Sequence, residues 1–347
     1  MAYSKEALRA AVWPETHPAP HKELHCRHCG RRNRVRADQA VLSPEGYRCA
    51  RCGGALFLTP DEALSGMRSA AFEHPLDAAA LSSLKRLPGF SEVVRMLLKH
   101  FSERSLRMQL MANTVHCNQD QFPELVALVE QARARLGYAH APTVFLGESP
   151  FMNAMTMGID QPVIVFNAAI LDQLDDLQIV DVAGHEIGHL MADHIVYRVL
   201  AIILLQGSGV FLPGLVRYLS LPLRLALLKW SRCAELTSDR AGLLASRDLG
   251  ASLGLLLRMA GGNRPGTRLR TTIELAPFVA QARSLADQEA GNLYDSFLLG
   301  LFSMGRTHPL VAWRVLQLIQ WVEHGNYLDI LAGDYARTAP AAEQEAP

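Results

Sequence analysis

The hydrophobic pattern along this chain is mostly that of helices, with a few short β-type runs near its middle. Leu125, Leu128, Val129, Ala132 and Leu136 recur at three- and four-residue spacing after Pro123, which predicts an amphipathic helix over 123–136. Residues 76–107 keep a helical period and break at Pro88-Gly89. Thr143 to Leu146 and Val163 to Phe166 are β-branched and apolar runs that read as strands, and Met108 to Val115 is a candidate first strand. Asn153 to Gly158 lies between them and reads as an edge strand, whose free amides and carbonyls can take up an extended peptide; an ordinary loop is the other reading. One long helix is expected from Leu177 to about Leu205 and another across 232–242. Helical core follows from Leu243 to Met259, with closing helices over 292–304 and 310–322. The pattern predicts an α+β fold, mostly helical, with a small sheet that exposes an edge.

Composition narrows the picture. At 347 residues the chain can bury one main core and carry a small module besides. Its 34 basic and 34 acidic residues cancel, so no global field points to nucleic acid or to an acidic partner. Residues 1–21 contain three prolines and lack the unbroken apolar run of a secretory signal, which predicts a flexible leader and cytoplasmic placement. Residues 336–347, rich in Ala, Pro and Glu, are expected to be a disordered tail.

Residues 22–60 carry Cys26, Cys29, Cys49 and Cys52 as two C-x2-C pairs. Four thiolates at this spacing suit a closed tetrahedral structural zinc in a ribbon of two knuckles, with disulfides as the competing pairing and His25 and His28 as substitute ligands. Gly30, Gly53 and Gly54 follow the pairs, where knuckle turns need positive φ. Arg27, Arg31, Arg32, Arg34, Arg36, Arg48 and Arg51 make the module basic. With only Tyr47 and Phe57 near for stacking, protein contact is favoured over nucleic acid. Cys117 and Cys233 are left over and read as core.

The chemistry concentrates in His185-Glu186-Ile187-Gly188-His189. Residues four apart share a helix face, so both imidazoles can reach one metal ion, while Glu186 can address a water beside it. A catalytic zinc takes three protein ligands and keeps one open position. Glu235, on the expected 232–242 helix, would be the third. Asp239, one turn on, would accept from the far nitrogen of a ligand histidine and fix its tautomer. Taken alone, the second helix could equally be a solvated face.

The HEIGH segment followed by an ExxxD helix resembles the gluzincin family of Ste-type CAAX prenyl proteases and heat-shock membrane metallopeptidases. Pro150 to Gly158 resembles that family's substrate-edge strand, and Pro162 to Phe166 the strand after it. Thr307-His308-Pro309-Leu310 with Arg314 resembles its C-terminal Thr-His-Pro element. The resemblance spans roughly Phe72 to Asp334 and implies a zincin-like catalytic domain over 61–335, with leading helices over 61–120. It implies Asn153, Ala154 and Met155 as substrate-binding residues, and Arg314 or His308 as donors to a developing oxyanion. His308 has two other readings, a fourth zinc ligand in a latent form and a packing histidine. The function implied is a zinc metalloendopeptidase acting on protein substrates, in quality control or regulated processing, with one catalytic and one structural Zn2+. The rival is a zinc-bearing adaptor or scaffold whose ribbon binds a partner; an intact Glu186 argues against it.

Val199 to Val216 holds 18 residues without a charge, and apolar character continues to Trp230. His189 and Glu235 must meet at one metal, so any membrane crossings between them must be even in number. Two spans need roughly 40 apolar residues, and Val199 to Trp230 offers 32, interrupted by Gln206 to Gly209, Pro213 and Pro222. An apolar helical hairpin over 195–230 is expected instead. It would be buried, or would touch a partner or the inner face of the membrane. The sequence is silent on oligomeric state.

Overall fold

The computed structural model describes residues 3–100, 102–205, 221–261, 274–291 and 310–337. In chain order these form α1 (Lys5–Val12), β1 (His21–His25), β2 (Arg32–Arg36), α2 (Ala37–Leu42), α3 (Pro75–Lys85), α4 (Phe90–His100) and α5 (Glu103–Asn113). There follow β3 (Val115–Cys117), α6 (Pro123–Leu136), β4 (Thr143–Gly147), β5 (Ala154–Met157), β6 (Val163–Asn167), α7 (Ala169–Gln173) and α8 (Asp176–Met191). The last are α9 (Ile195–Leu205), α10 (Leu221–Ser246), α11 (Leu249–Met259), α12 (Leu275–Gly291), α13 (Val311–His324) and α14 (Tyr327–Leu331). The fold is α+β and mostly helical.

The two elements that matter most are α8 and α10, which cross at very short range. A capping box starts α8: Asp175 Oδ1 accepts from Gln178 N at 3.1 Å, and Gln178 Oε1 from Asp175 N at 3.3 Å. Along α8, Gly184 and Gly188 face Ala241, Gly242 and Ala245 of α10. A Cβ at Gly184 would come within 2.3 Å of Ala245 Cβ, and one at Gly188 within 2.5 Å of Ala241 Cβ. Only hydrogen fits at these positions, and the backbones close until the side chains flanking the seam meet.

A four-stranded sheet of order β3-β4-β6-β5 meets α8 through β5. β4 and β6 run parallel and the other pairs antiparallel. β5 is the edge nearest α8. Its alternation buries Ala154 and Thr156 and leaves Met155 and Met157 half-buried.

The N-terminal ribbon is continuous with the main core, in which Leu24, Val35 and Leu56 join Leu253, Val315 and Tyr327 in one buried cluster. Leu58 N donates to Leu331 O at 2.7 Å, and Lys22 pairs with Asp329 at 2.7 Å. Gly30 (φ +69°) and Gly53 (φ +70°) make the two knuckle turns. Gly54 does not take positive φ; a Cβ there would stand 2.7 Å from His28 Cδ2, so its role is steric.

Several expectations need correction. Residues 4–13 are not a flexible leader: Ser4 Oγ caps α1, and Leu8, Ala11, Val12 and Trp13 are buried, with α1 packed on α12. The prolines come after this helix and do not interrupt it. The expected strand at 108–115 is helical to Asn113, because Ser102 caps α5 and Gln109, Leu110, Met111 and Ala112 are helix formers; only Val115–Cys117 is strand. The single helix expected over 177–205 is two helices. The chain breaks at 192–194, where Asp193 takes φ +55°, a conformation that Asp tolerates better than most residues. Residues 206–220 and 292–309, and with them the hairpin tip, one closing helix and His308, lie outside the described residues, as does most of the C-terminal tail.

Among the described residues no helix is long and apolar enough to cross a membrane. The described flanks of the 195–230 segment are used internally: Val199, Leu200, Leu223, Leu227 and Trp230 pack with Leu84, Phe90 and Val93 of the leading helices.

The seam between α8 and α10 makes a direct prediction. Gly184→Val should lose about 1–3 kcal/mol of stability by overpacking, despite valine's better helix propensity. Chemical denaturation measures this, and an unchanged midpoint with unchanged slope would contradict the close-contact reading.

Candidate active site

The crossing brings together three side chains that could hold a metal ion. His185 Nε2 and His189 Nε2 are 3.3 Å apart. Glu235 reaches them from α10, with Oε2 3.5 Å from His185 Nε2 and Oε1 3.4 Å from His189 Nε2. Atoms about 2.0–2.1 Å from a tetrahedral zinc sit about 3.3–3.4 Å from one another, so the triangle has the edges that such an ion requires. Two imidazole nitrogens aimed at each other need a cation or a shared proton between them.

Asp239 Oδ1 lies 3.1 Å from His185 Nδ1. Arg314 then holds Asp239 in a two-point contact, Nε to Oδ2 at 2.8 Å and Nη2 to Oδ1 at 2.5 Å. Burial works against the Asp239 charge, but Arg314 and His185 together keep its carboxyl below the usual range. Two of Arg314's donors are therefore engaged, and Nη1 faces Met259 Sδ at 3.9 Å.

Glu186, one step round the helix, is buried beside the ligand cluster. Its Oε2 accepts from Thr156 Oγ1 at 2.6 Å and from Arg198 Nη1 at 3.0 Å, and Oε1 makes no hydrogen bond among the described residues. Burial raises a carboxyl, yet Arg198 and the two histidines hold this one down at about 2. The two ligand histidines diverge. Burial opposes the charge on His185, but Asp239 and Glu235 raise its pKa to about 9. Burial and the charge of Arg198 push His189 down to about 3.

A pocket opens over this cluster. Asn153 and Ala154 line it with Met152, Ile170, Val182, Leu255 and Met259, together with His185, Glu186, Glu235 and Arg314. Met155, named with Asn153 and Ala154 from sequence, is not in this lining. Thr156, Arg198, His194 and Asp77 belong to the centre and were missed by sequence reasoning. The alternation of the edge strand could have put Thr156 on the face of Ala154; nothing local marks the other three.

In the ribbon, Cys26, Cys29, Cys49 and Cys52 bring their sulfurs within 4.8 Å of one another. The Cys26–Cys52 and Cys29–Cys49 pairs stand at 3.6 Å, close to the roughly 3.8 Å edge of a tetrahedron with zinc–sulfur bonds of about 2.3 Å. All four are free thiols, so the disulfide alternative is not the arrangement seen.

Peptidase family M48 matches residues 119–322, more than half of the chain, a span that contains both histidines, Glu186, Glu235, Asp239 and Arg314. The chain belongs to peptidase family M48. It is a zinc metalloprotease, a hydrolase whose substrates are proteins or peptides. It is also similar to the plastoglobule-localized metallopeptidase 48 of Arabidopsis thaliana, 29% identical over 262 residues that cover 75% of this chain and 74% of that relative. No solved structure matches it.

For this M48 peptidase the histidine charges predict how metal uptake depends on pH. With His185 protonated up to about pH 9 in the metal-free site, zinc must displace that proton. Uptake at pH 7 should release about one proton at this site, and affinity should strengthen as pH rises toward 9. Calorimetry in buffers of different ionisation enthalpy measures this; uptake with no proton release would contradict it.

Proposed function

We propose that this M48 peptidase is an endopeptidase that cuts protein substrates with Glu186 as general base, in protein quality control or regulated processing. It would use one catalytic zinc at His185, His189 and Glu235 and one structural zinc at the four ribbon cysteines. The convergence of the three ligand atoms beside a buried glutamate that keeps one oxygen free carries this reading. A purely structural metal site has no use for that carboxylate, so the geometry speaks against the adaptor alternative.

When bound, zinc supplies a Lewis acid that polarises the scissile carbonyl and acidifies water. The residues of the chain do the rest. Thr156 and Arg198 fix Oε2 of Glu186 and so orient Oε1, which takes the proton from the attacking water and passes it to the leaving amine. Asp239, steadied by Arg314, keeps His185 as the tautomer that offers Nε2 to the metal. The edge strand β5, flanked by Asn153, receives the substrate as an added strand through Asn153, Ala154 and Met155. Arg314 through Nη1, or His308, stabilises the oxyanion. The four ribbon thiols, arranged for metal and not for disulfides, favour a reducing compartment such as the cytoplasm.

Glu186→Gln tests the reading. The variant should keep its zinc, because it removes no ligand, and should lose at least about 100-fold in turnover of an unfolded protein such as fluorescent casein. Metal content and cleavage are measured on the same preparation. Turnover close to that of the unaltered protein would defeat the assignment.

A further inference from the structure

On the far side of His189 lies a buried polar chain that the mechanism above does not use. His189 Nδ1 is 3.0 Å from His194 Nδ1. His194 Nε2 is 3.0 Å from Asp77 Oδ2, and Thr237 Oγ1 donates to that same oxygen at 2.6 Å. All four residues are fully buried. Trp230 packs edge-on against the His194 ring, with centroids 5.4 Å apart, and limits its rotation.

The break between α8 and α9 is what makes the contact. Because Asp193 turns the chain at positive φ, His194 N donates back to His189 O at 3.0 Å, and the imidazole folds under its neighbour. A continuous helix would have carried it to another face. Asp77 arrives from α3, outside residues 119–322 that the family match covers.

We propose that His194 and Asp77 are positioning residues of the zinc centre, which lock His189 as the tautomer that presents Nε2 to the metal. The inference rests on His185, His189 and Glu235 being the zinc ligands. A metal on His189 Nε2 requires the ring proton on Nδ1, and a buried N–H needs an acceptor. His194 Nδ1 can accept only if its own proton sits on Nε2, which faces the Asp77 carboxylate. Thr237, two residues after ligand Glu235, donates to Asp77. The proton of His189 thus points from Nδ1 to Nδ1 of His194, which leaves the His194 proton on Nε2, in close polar contact with the Asp77 carboxylate at 3.0 Å. With a metal on His189 Nε2 and the proton on its Nδ1, a proton on His194 Nδ1 would set two hydrogens face to face at 3.0 Å. The two ligand histidines then have matched supports, Asp239 with Arg314 behind His185, and His194 with Asp77 behind His189.

Two measurements on the full chain decide this. Competition with a chromophoric chelator should show zinc affinity at the histidine site reduced about 10–100-fold in Asp77→Asn and in His194→Phe, with ribbon metal and far-UV spectrum unchanged. Folded variants whose affinity stays within about twofold of the unaltered protein would overturn the proposal, since a merely structural pair lowers melting temperature without touching metal affinity. The second needs no substitution and decides the matter if the variants unfold. Nitrogen-15 histidine NMR of the zinc-loaded protein should find His194 neutral with its proton on Nε2; an Nδ1–H or doubly protonated ring would overturn it. If the unaltered protein takes up no zinc at the histidine site, the ligand assignment fails first. If it takes up zinc and the His194 tautomer is wrong, only the positioning role fails.

Discussion

The short crossing of α8 and α10 is the constraint on which the rest of this structure depends. Gly184 and Gly188 on one helix, against Ala241, Gly242 and Ala245 on the other, let two backbones approach where any larger side chain would hold them apart. A zinc ion at His185, His189 and Glu235 would tolerate errors of only about 0.2 Å, so side chains on two rigid elements held by packing would suit it better than loops. The glycine of the HEIGH segment therefore sets the distance over which Glu235 reaches the two histidines.

Around this seam the charges are arranged in depth. Each ligand histidine has a polar group behind it, and each of those groups is held in turn by something from another part of the chain. Asp239 is fixed by Arg314 of α13, and Asp77 comes from α3. The ribbon enters the same network through packing: α2 contacts α13 and α14, so the cysteine module buttresses the helix that carries Arg314. An N-terminal cysteine module and a C-terminal arginine are thereby part of one mechanical unit, though far apart in sequence.

Much of this was legible in the chain, for identifiable reasons. The four-residue spacing of His185 and His189, and of Glu235 and Asp239, is a property of helical geometry and survives into the fold unchanged. The helix over 123–136 and the strands beginning at Thr143 and Val163 followed from simple periodicity and terminal residues. What sequence could not supply were interactions made by tertiary meeting. Arg198 and Asp77 reach the centre from separate elements, and no local pattern ties them to it. Asp193 shows the other limit: a single residue at positive φ splits an apolar helical run, and hydrophobic period alone does not register such a break. The amphipathic stripe of Leu8, Ala11 and Val12 was present in the N-terminal run, but three later prolines obscured it.

Anomalous diffraction at the zinc edge, from crystals of the zinc-loaded protein, interrogates the crossing most directly. One ion should lie about 2.0–2.2 Å from Nε2 of His185, Nε2 of His189 and a carboxylate oxygen of Glu235, with a fourth position open toward the pocket beside Glu186. An ion bound without Glu235, or no ion between the two helices at full zinc loading, would show that the close packing of α8 and α10 serves something other than this metal centre.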